Sequence, residues 1–250
     1  YDAELTAPVL AQLKKLGAMV MTNTIALGLA TGGALMVRMG DSVDTEIPAD
    51  KILVTVGRKA FTRDLRLEDL VVEMDGPCIR INERCETSMR GVFAIGDVTG
   101  EPMLAHRAMA QGEMVAEIVA GHRRAWDKRC IPAVCFTDPE IVSVGMTPDQ
   151  AQAAGIEANV ANFPFAANGR AMTLEDEAGF IRVVSHAATH ELLGVQAVGR
   201  GVSELTASFT LAIEMGARLE DVGSTIHAHP TLGESFQEGC LRALGHAIHI

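Results

Sequence analysis

The sequence predicts an α/β segment followed by an α+β domain that is built on an antiparallel sheet. Up to about residue 125, short apolar runs lie between an opening helical pattern and a closing one, and one run ends in Gly96-Asp97. A parallel strand brings a carboxylate to the ligand-binding edge of an α/β sheet in this way. After about residue 130, four strand-like runs are joined by turns, with helices between some of them. This pattern is typical of an α+β domain.

The composition narrows the classes of function. The chain has 250 residues, of which 48% are hydrophobic and 4% aromatic, so aliphatic side chains must fill its core. A formal net charge of −11 argues against a nucleic-acid partner, which needs a basic surface. No apolar run reaches the roughly 18 residues that span a bilayer, and the first residues lack the pattern of a signal peptide. We therefore expect a cytoplasmic protein without a membrane partner.

The first block, residues 1–59, begins with a helical pattern over 8–16 that Gly17 ends. Strand-like runs follow at 18–21, 34–39 and 51–56. The last run is almost entirely apolar, which predicts a strand buried on both faces. A helix with no strand before it indicates a domain that is entered partway through.

The second block, residues 60–125, contains two predicted strands and one predicted helix. The strands are 78–81 and 91–97, and the second ends in the Gly-Asp pair. The helix is expected to open at Pro102, because proline in a first helical turn removes no intrahelical hydrogen bond. Gly121 is expected to stop it after Ala120.

The third block runs from about residue 130 to 250, after the charged linker 121–129, and alternates strands with helices; together with the end of the linker it forms the predicted domain 126–250. The predicted strands are 141–145, 160–165, 180–185 and 192–198, and the predicted helices are 148–154, 202–215 and 231–244. Strands joined by turns, with helices between some of them, predict an antiparallel sheet.

Asp97 is the first candidate for a ligand-binding residue. Its carboxylate can accept hydrogen bonds from the hydroxyls of a ligand, and the helix that follows points its positive end at an anionic centre. The alternative is a simple turn that ends the strand, since Gly-Asp is common in turns.

The segment 227–234 (HAHPTLGE) is the second candidate site. A histidine titrates near neutral pH, and a carboxylate on its other ring nitrogen fixes the tautomer and raises the basicity. Glu234 can reach His229 from the first turn of the next helix. Two alternatives stand beside this pair: a capping box in which Glu234 bonds the Thr231 amide, and a metal site at His227 and His229. The metal site lacks a third ligand, so we expect no metal.

The cysteines offer a third possibility. Four residues separate Cys130 from Cys135, so a redox disulfide is one interpretation. The flanking Ile, Val and Phe favour the other, in which two buried thiols lie in a strand. The sequence contains no GxGxxG, GxxxxGK[ST] or GxSxG motif. If the chain binds a nucleotide, it therefore supplies residues at the edges of the binding site and not the glycine-rich loop that binds the phosphates.

Several segments in register resemble the pyridine nucleotide-disulfide oxidoreductases. Residues 87–98 (TSMRGVFAIGDV) resemble the second flavin-binding segment of that family, and 102–112 (PMLAHRAMAQG) continue it in the manner of dihydrolipoamide dehydrogenases. Residues 227–234 resemble the active-site base with its carboxylate partner. Val56-Gly57-Arg58 is similar to the end of the NAD domain, and 241–246 (LRALGH) is similar to enzymes that serve branched-chain 2-oxoacid dehydrogenase complexes.

The resemblance implies an arrangement of domains and a set of cofactor contacts. Residues 1–59 would be the end of an NAD-binding domain, 60–125 a second FAD-binding segment and 126–250 a dimerisation (interface) domain with an antiparallel sheet. Asp97 would bond the ribityl hydroxyls of FAD, and Gly57 would lie near NAD. The residues implied to line the flavin are Met103, Leu104, Ala105 and His106.

The resemblance also implies a reaction. His229 would be the general base that takes the thiol proton of protein-bound dihydrolipoamide, and Glu234 would hold it. In this family the histidine serves the flavin of the other subunit, so a homodimer is expected, with the lipoyl domain of a 2-oxoacid dehydrogenase complex as partner. NAD would be the final oxidant, reached through FAD and a redox disulfide.

The chain also departs from the family pattern. The redox disulfide and the glycine motifs of both nucleotide domains lie outside it, and Cys130/Cys135 does not follow a glycine-rich flavin segment. The sequence therefore indicates a piece that begins inside the NAD domain and is inactive by itself. Two alternatives remain: another disulfide reductase of the family, such as glutathione reductase, or a non-catalytic dimerisation module.

Overall fold

The computed structural model describes the backbone of residues 1–250 and every side chain except that of Glu68. The chain forms two compact units, one containing residues 1–18 and 127–250 and the other residues 19–126. The helices are α1 (Ala3–Lys15), α2 (Ala105–Val119), α3 (Pro148–Ala153), α4 (Gly169–Thr173), α5 (Thr206–Glu214), α6 (Leu219–Ser224) and α7 (Glu234–Ala243). The strands are β1 (Thr24–Leu29), β2 (Leu35–Met39), β3 (Thr45–Ile47), β4 (Met74–Asp75), β5 (Cys78–Ile79), β6 (Ala133–Cys135), β7 (Glu140–Gly145), β8 (Ala158–Pro164), β9 (Phe180–His186) and β10 (Leu192–Gly199).

A five-stranded antiparallel sheet organises the larger unit, in the order β6-β7-β10-β9-β8. Val195 in the central strand pairs with Val144 on one side and with Val183 on the other. Branched aliphatic side chains of this kind fit a pleated, buried surface. The four strands predicted in the third block are confirmed, with ends that differ by at most two residues.

Side chains on the two faces of this sheet enter two separate cores. Val142 and Val144 belong to the larger core, in which Phe209 of α5 meets Phe236 of α7 edge to face with ring centroids 4.9 Å apart. Burial of each phenylalanine contributes about 1.5–3 kcal/mol. On the opposite face, Ile141 packs in a cluster with side chains of α1. The sheet is therefore covered on both sides within this unit.

Helix α1 is fixed to the sheet by apolar contacts and by ion pairs. Asp2 caps it, since its Oδ1 accepts the amides of Glu4 and Leu5, each at 3.1 Å. This cap explains why the helix begins at Ala3 and not at residue 8 as predicted. Arg182 of β9, which is 3% exposed, donates to Asp2 Oδ2 at 2.6 Å and also bonds Glu4.

The smaller unit contains a three-stranded sheet, a two-stranded hairpin and α2. Strands β1, β2 and β3 form an antiparallel sheet in chain order, and β4 pairs with β5. Cys85, Met114 and Ile118 form the buried cluster of this unit, and Phe93 and Trp126 pack against it. This cluster anchors the inner face of α2.

Three strand predictions in the first two blocks are wrong. In the described structure, residues 18–21 and 51–56 form no strand, and within 91–97 the pairing is a single bridge between Phe93 and Glu86. Leu53 and Val56 are 87% and 95% exposed, where a doubly buried strand was expected. An apolar run indicates burial or extension, but a strand also needs a neighbour that accepts its hydrogen bonds.

The helix predictions needed smaller corrections. Helix α2 begins at Ala105 and not at Pro102, although it does end before Gly121, whose φ is 95°. The predicted helix 202–215 is a 3₁₀ turn (Val202–Leu205) followed by α5, and α7 begins at Glu234, three residues after the predicted start. Among the described helices, none is both long and apolar enough to cross a membrane.

Candidate active site

A histidine and a glutamate form a close pair at the start of α7. His229 Nδ1 lies 2.9 Å from Glu234 Oε1. The histidine side chain is 70% exposed and the glutamate side chain 16%. The imidazole is therefore accessible to a reactant, whereas its carboxylate partner is largely enclosed.

The local chain fold places this pair in the turn before α7 and at its first residue. Glu234 is the first residue of α7, and its second oxygen, Oε2, accepts the Thr231 amide at 2.7 Å. The Thr231 hydroxyl donates to the Ala228 carbonyl at 2.7 Å, which closes the turn. The two contacts considered for Glu234 from sequence therefore occur together, one on each carboxylate oxygen. The capping box itself is not formed, because Gly233 is the N-cap of α7 and the Thr231 hydroxyl donates to the turn and, among the described hydrogen bonds, accepts no helix amide.

The charge of Glu234 suits it to hold a histidine. Partial burial by itself raises the pKa of its carboxyl, but the hydrogen bonds from the Thr231 amide and from His229 outweigh this and lower the pKa below its usual value. The side chain is thus an anion at neutral pH. It fixes the tautomer with a proton on His229 Nδ1 and leaves Nε2 with a lone pair that can accept a proton.

The neighbouring His227 has a different environment. Its Nδ1 lies 2.9 Å from the Thr225 carbonyl oxygen, and among the described hydrogen bonds it has no carboxylate partner. No group of three His, Cys, Asp or Glu side chains among the described residues is placed to hold a metal ion. The His229–Glu234 arrangement can perform acid–base chemistry, because a carboxylate holds one ring nitrogen and leaves the other accessible.

A small cavity of about 10 Å³ lies behind the pair. This volume is at the lower limit for one water molecule. Its walls are Phe163, Ala167, Asn168, Gly169, His229, Glu234, Glu238 and His249. Glu238 and His249 form a second carboxylate–imidazole pair, with His249 Nδ1 2.8 Å from Glu238 Oε1. The sequence analysis did not identify these two residues.

Asp97 lies in the smaller unit on a 3₁₀ turn, Gly96–Thr99, that leads to α2. Its carboxylate is 48% exposed, and Oδ2 lies 3.8 Å from Arg58 Nη1. The same Arg58 atom donates to the Met103 carbonyl at 3.2 Å. The structure therefore brings the Gly57-Arg58 segment, Asp97 and Met103 to one place.

Gly96 is required where the turn meets the helix. Its φ is 69°, and a Cβ at this position would lie 2.8 Å from the Ala108 Cβ. Its amide donates to Gln111 Oε1 at 2.8 Å inside the protein. A larger residue would therefore displace α2 from the carboxylate of Asp97.

Two polar side chains of α2 support this turn, and the sequence analysis assigned neither a role. Arg107 is 9% exposed and donates to the Gly100 carbonyl at 2.6 Å and to the Thr99 hydroxyl at 3.0 Å. Gln111, one helical turn later, holds the Gly96 amide. Polar residues at i and i+4 on a face that also carries Met114 and Ile118 are the signal that identifies them.

The start of α2 is open to a ligand. Leu104 is the N-cap residue, and neither it nor an acidic residue in the first turn compensates the positive end of the helix. Met103, Ala105 and His106 flank this end. A half-exposed carboxylate and an uncapped helix end fit the hydroxyls and the electron-rich edge of a flavin, so these residues are compatible with the cofactor that the sequence implies.

Cys130 and Cys135 are free thiols. Burial and the adjacent Glu214 carboxylate raise the pKa of Cys130 to about 11, so its thiolate form is scarce at neutral pH. Cys135 ends the edge strand β6. Cys135 therefore lies in a strand, whereas Cys130 precedes it, and the scarcity of the Cys130 thiolate argues against a redox pair.

Comparisons with known proteins agree with this geometry. The profile of pyridine nucleotide-disulphide oxidoreductases matches residues 1–112, and the profile of their dimerisation domain matches residues 131–240. The chain belongs to the pyridine nucleotide-disulphide oxidoreductase family. The family resemblance and the fold class inferred from sequence are thereby confirmed.

Individual members of the pyridine nucleotide-disulphide oxidoreductase family are similar along the whole chain. It is 56% identical to a dihydrolipoyl dehydrogenase of Pseudomonas aeruginosa over 250 residues, which are 100% of this chain and 54% of the relative. It is 42% identical to a dihydrolipoyl dehydrogenase of Geobacillus stearothermophilus, with the same two shares covered. The chain thus spans about half the length of the curated relatives it matches.

Solved structures have the same fold. The structure of LpdA from Mycobacterium tuberculosis superposes with a TM-score of 0.86 at 26% identity, over 96% of this chain and 53% of that one. The flavoprotein disulfide reductase RclA from Escherichia coli gives a TM-score of 0.84 at 21% identity, over 96% and 55%. Pyridine nucleotide-disulphide oxidoreductases of the dihydrolipoyl dehydrogenase type use FAD and NAD, as the sequence implied.

Proposed function

We propose that the protein acts as a dihydrolipoyl dehydrogenase, which reoxidises protein-bound dihydrolipoamide with NAD through FAD and a redox disulfide. The observation that carries this proposal is the His229–Glu234 pair, with Nδ1 and Oε1 2.9 Å apart at an exposed position. The 56% identity to a dihydrolipoyl dehydrogenase along the whole chain supports the same activity.

His229 is the general base of the proposed reaction. Its Nε2 takes the proton of a dihydrolipoamide thiol, so that the sulfur becomes a thiolate, the nucleophilic form in thiol–disulfide exchange. Glu234 keeps the other ring nitrogen as a donor and stabilises the imidazolium that forms. The Thr231 amide holds the second oxygen of Glu234, so the carboxylate cannot rotate away from the ring.

Residues near the start of α2 form part of the proposed flavin site. Asp97 would bond the ribityl hydroxyls of FAD, and Met103, Leu104, Ala105 and His106 would line the ring at the positive end of the helix. Gly57, beside Arg58, would lie near NAD. FAD held by these residues would supply two-electron redox chemistry between the thiols and NAD. Gly96, Arg107 and Gln111 keep the carboxylate and the helix end in register.

The assembly and location of the protein are also proposals. A match to a dimerisation domain over residues 131–240 supports a homodimer, in which His229 would serve the flavin of the other subunit. We further propose that the lipoyl domain of a 2-oxoacid dehydrogenase complex is the partner. We also propose the division into residues 1–59, 60–125 and 126–250, which the family matches to residues 1–112 and 131–240 support. Five free cysteines are compatible with a cytoplasmic location.

Replacement of the base tests the proposal. In the full-length, flavin-loaded protein, His229→Gln should lower the turnover of dihydrolipoamide with NAD by about 10² or more, as expected for loss of a general base. His227→Gln is the matched control, because that exposed histidine lacks the carboxylate partner and should leave turnover within about threefold. A loss below threefold for His229→Gln would refute the assignment. Turnover of glutathione disulfide in place of lipoamide would assign the other reductase activity.

A further inference from the structure

We propose that Asn168 is a positioning residue for the catalytic base, because its side-chain amide fixes the loop that carries His229. This inference rests on the proposed function, since it assigns a new residue to the same site. The Asn168 side chain contacts the backbone of the loop. In this arrangement it touches neither the substrate nor the reacting nitrogen. It acts through Thr231 and Glu234.

Asn168 is a buried polar residue with both ends of its amide engaged. It is 4% exposed and lies between the 3₁₀ turn Phe165–Ala167 and α4. Its Oδ1 accepts the Ala171 amide at 3.0 Å, which caps α4. Its Nδ2 donates to the Thr231 carbonyl at 3.0 Å, across 63 residues of sequence. One side chain thus connects a helix beside the sheet to the catalytic loop.

Thr231 is the point at which the loop is held from two sides. Its carbonyl accepts from Asn168, and its amide donates to Glu234 Oε2 at 2.7 Å. The other oxygen of Glu234 lies 2.9 Å from His229 Nδ1. Both peptide groups that flank the Thr231 Cα are therefore fixed, and the direction of the imidazole depends on that fixed geometry.

The need for such support follows from the exposure of the base. The His229 side chain is 70% exposed, so core packing contributes little to its orientation. The Asn168 side chain also lines the small cavity behind His229 and Glu234. Displacement of a catalytic group by about 1 Å can cost about 10²-fold in rate. A side chain that anchors the loop backbone therefore supports the reaction rate as well as the stability of the fold.

The chemistry of the two contacts separates positioning from capping. An aspartate at 168 keeps an oxygen for the Ala171 amide but puts a second oxygen against the Thr231 carbonyl, where two acceptors repel. A serine keeps a capping oxygen but is too short to reach Thr231. Both changes preserve the cap of α4 and remove the bond to the loop.

The experiment compares Asn168→Asp and Asn168→Ser with the parent in the full-length, flavin-loaded protein. Turnover of dihydrolipoamide with NAD should fall about tenfold to a hundredfold in kcat, with KM changed less than threefold. Reduction of an artificial electron acceptor by NADH needs no thiol base and should stay within twofold. In Asn168→Asp, the ratio of its turnover to that of the parent should rise as pH is lowered, because the introduced carboxyl, once protonated, can donate to the Thr231 carbonyl.

Asn159→Asp is the matched control. Asn159 donates to the Ala243 carbonyl at 2.9 Å on the same helix α7, and it is exposed. This change adds the same charge and removes the same type of bond away from the loop, so turnover should not change.

The outcomes separate this inference from the proposed function. Loss of dihydrolipoamide turnover in both Asn168 variants with intact NADH oxidation supports it. Turnover within threefold of the parent, measured beside an inactive His229→Gln, overturns the role of Asn168 and leaves the proposed function standing. A parallel loss of both activities with a lower melting temperature also overturns it, because Asn168 would then be a fold-stabilising cap. Full activity of His229→Gln would refute both the proposed function and the role of Asn168.

Discussion

Replacement of Glu234 by glutamine isolates the contribution of the carboxylate to the base. The wild-type side chain accepts two hydrogen bonds, one from the Thr231 amide at 2.7 Å and one from His229 Nδ1 at 2.9 Å. A glutamine has the same shape but only one oxygen. Whichever way its amide turns, one of the two N–H groups faces an NH₂ group instead of an acceptor.

The size of the effect follows from the bond that is lost. When His229 takes a thiol proton it becomes an imidazolium, and the hydrogen bond to a carboxylate 2.9 Å away becomes charge-assisted. Such bonds contribute about 1.5–3 kcal/mol, and about 1.4 kcal/mol corresponds to tenfold in rate. We therefore expect Glu234→Gln to lower kcat with dihydrolipoamide by about tenfold to a hundredfold. KM should change little, since the imidazolium forms only during the reaction.

The assay follows NADH formation from dihydrolipoamide under steady-state conditions, with the full-length, flavin-loaded protein. NADH-driven reduction of an artificial acceptor is measured on the same samples, because that activity needs no thiol base. It should be equal in both proteins. The melting temperature reports whether loss of the hydrogen bond to the Thr231 amide has destabilised the larger unit.

Two results would refute the reasoning. If kcat with dihydrolipoamide falls less than threefold, Glu234 does not stabilise the imidazolium and its role is limited to holding the Thr231 amide. If NADH-driven reduction of the acceptor falls in parallel, the variant has lost its fold or its flavin, and the loss does not originate at His229.

Other contacts make further predictions. Asp2→Asn should speed amide exchange in α1 by about tenfold, because it leaves the buried Arg182 short of one charged partner. The cost is about 1–2 kcal/mol after allowance for the partial exposure of the carboxylate. Unchanged exchange would contradict this. The Arg182 hydrogen bond lowers the pKa of Asp2 to about 2, below the 3.8 of a free carboxyl. The stabilisation by this pair is therefore complete above about pH 4 and is lost as pH falls towards 2. Protection of α1 from exchange that instead increased in acid would argue against the pair. Gly96→Ala should cost about 1–3 kcal/mol and weaken flavin retention, because the φ is positive and the added Cβ meets Ala108. Cys130 should be alkylated slowly at pH 8 and faster towards pH 11, as peptide mass spectrometry can follow; rapid labelling at pH 8 would mean an exposed, acidic thiol.

The sequence alone predicted four of the five strands in the larger sheet and the pairing of His229 with Glu234. Strands β7 to β10 are runs rich in aliphatic residues, and turns or helices separate them, so the signal is local. His229 and Glu234 are five residues apart, and Pro230 and the capping pattern limit how the intervening chain can fold. Local geometry was therefore sufficient to bring the two side chains within hydrogen-bonding distance.

Sequence reasoning failed where a structure depends on a partner far along the chain. The apolar runs 51–56 and 91–97 have the composition of strands, but a ladder needs an adjacent strand that no local pattern specifies. The start of α2 was misplaced for a related reason, since the Arg107 and Gln111 side chains hold the turn before the helix. Only the folded chain places those side chains beneath it.

The contacts that hold the His229 loop and helix α1 are likewise tertiary. Asn168 reaches Thr231 across 63 residues, and Arg182 reaches Asp2 across 180. The identity of an asparagine or an arginine predicts that it will find a partner when buried, because an unsatisfied polar group is costly. Which partner it finds depends on the packing of strands and helices that are distant in sequence, and that packing is decided by the tertiary structure.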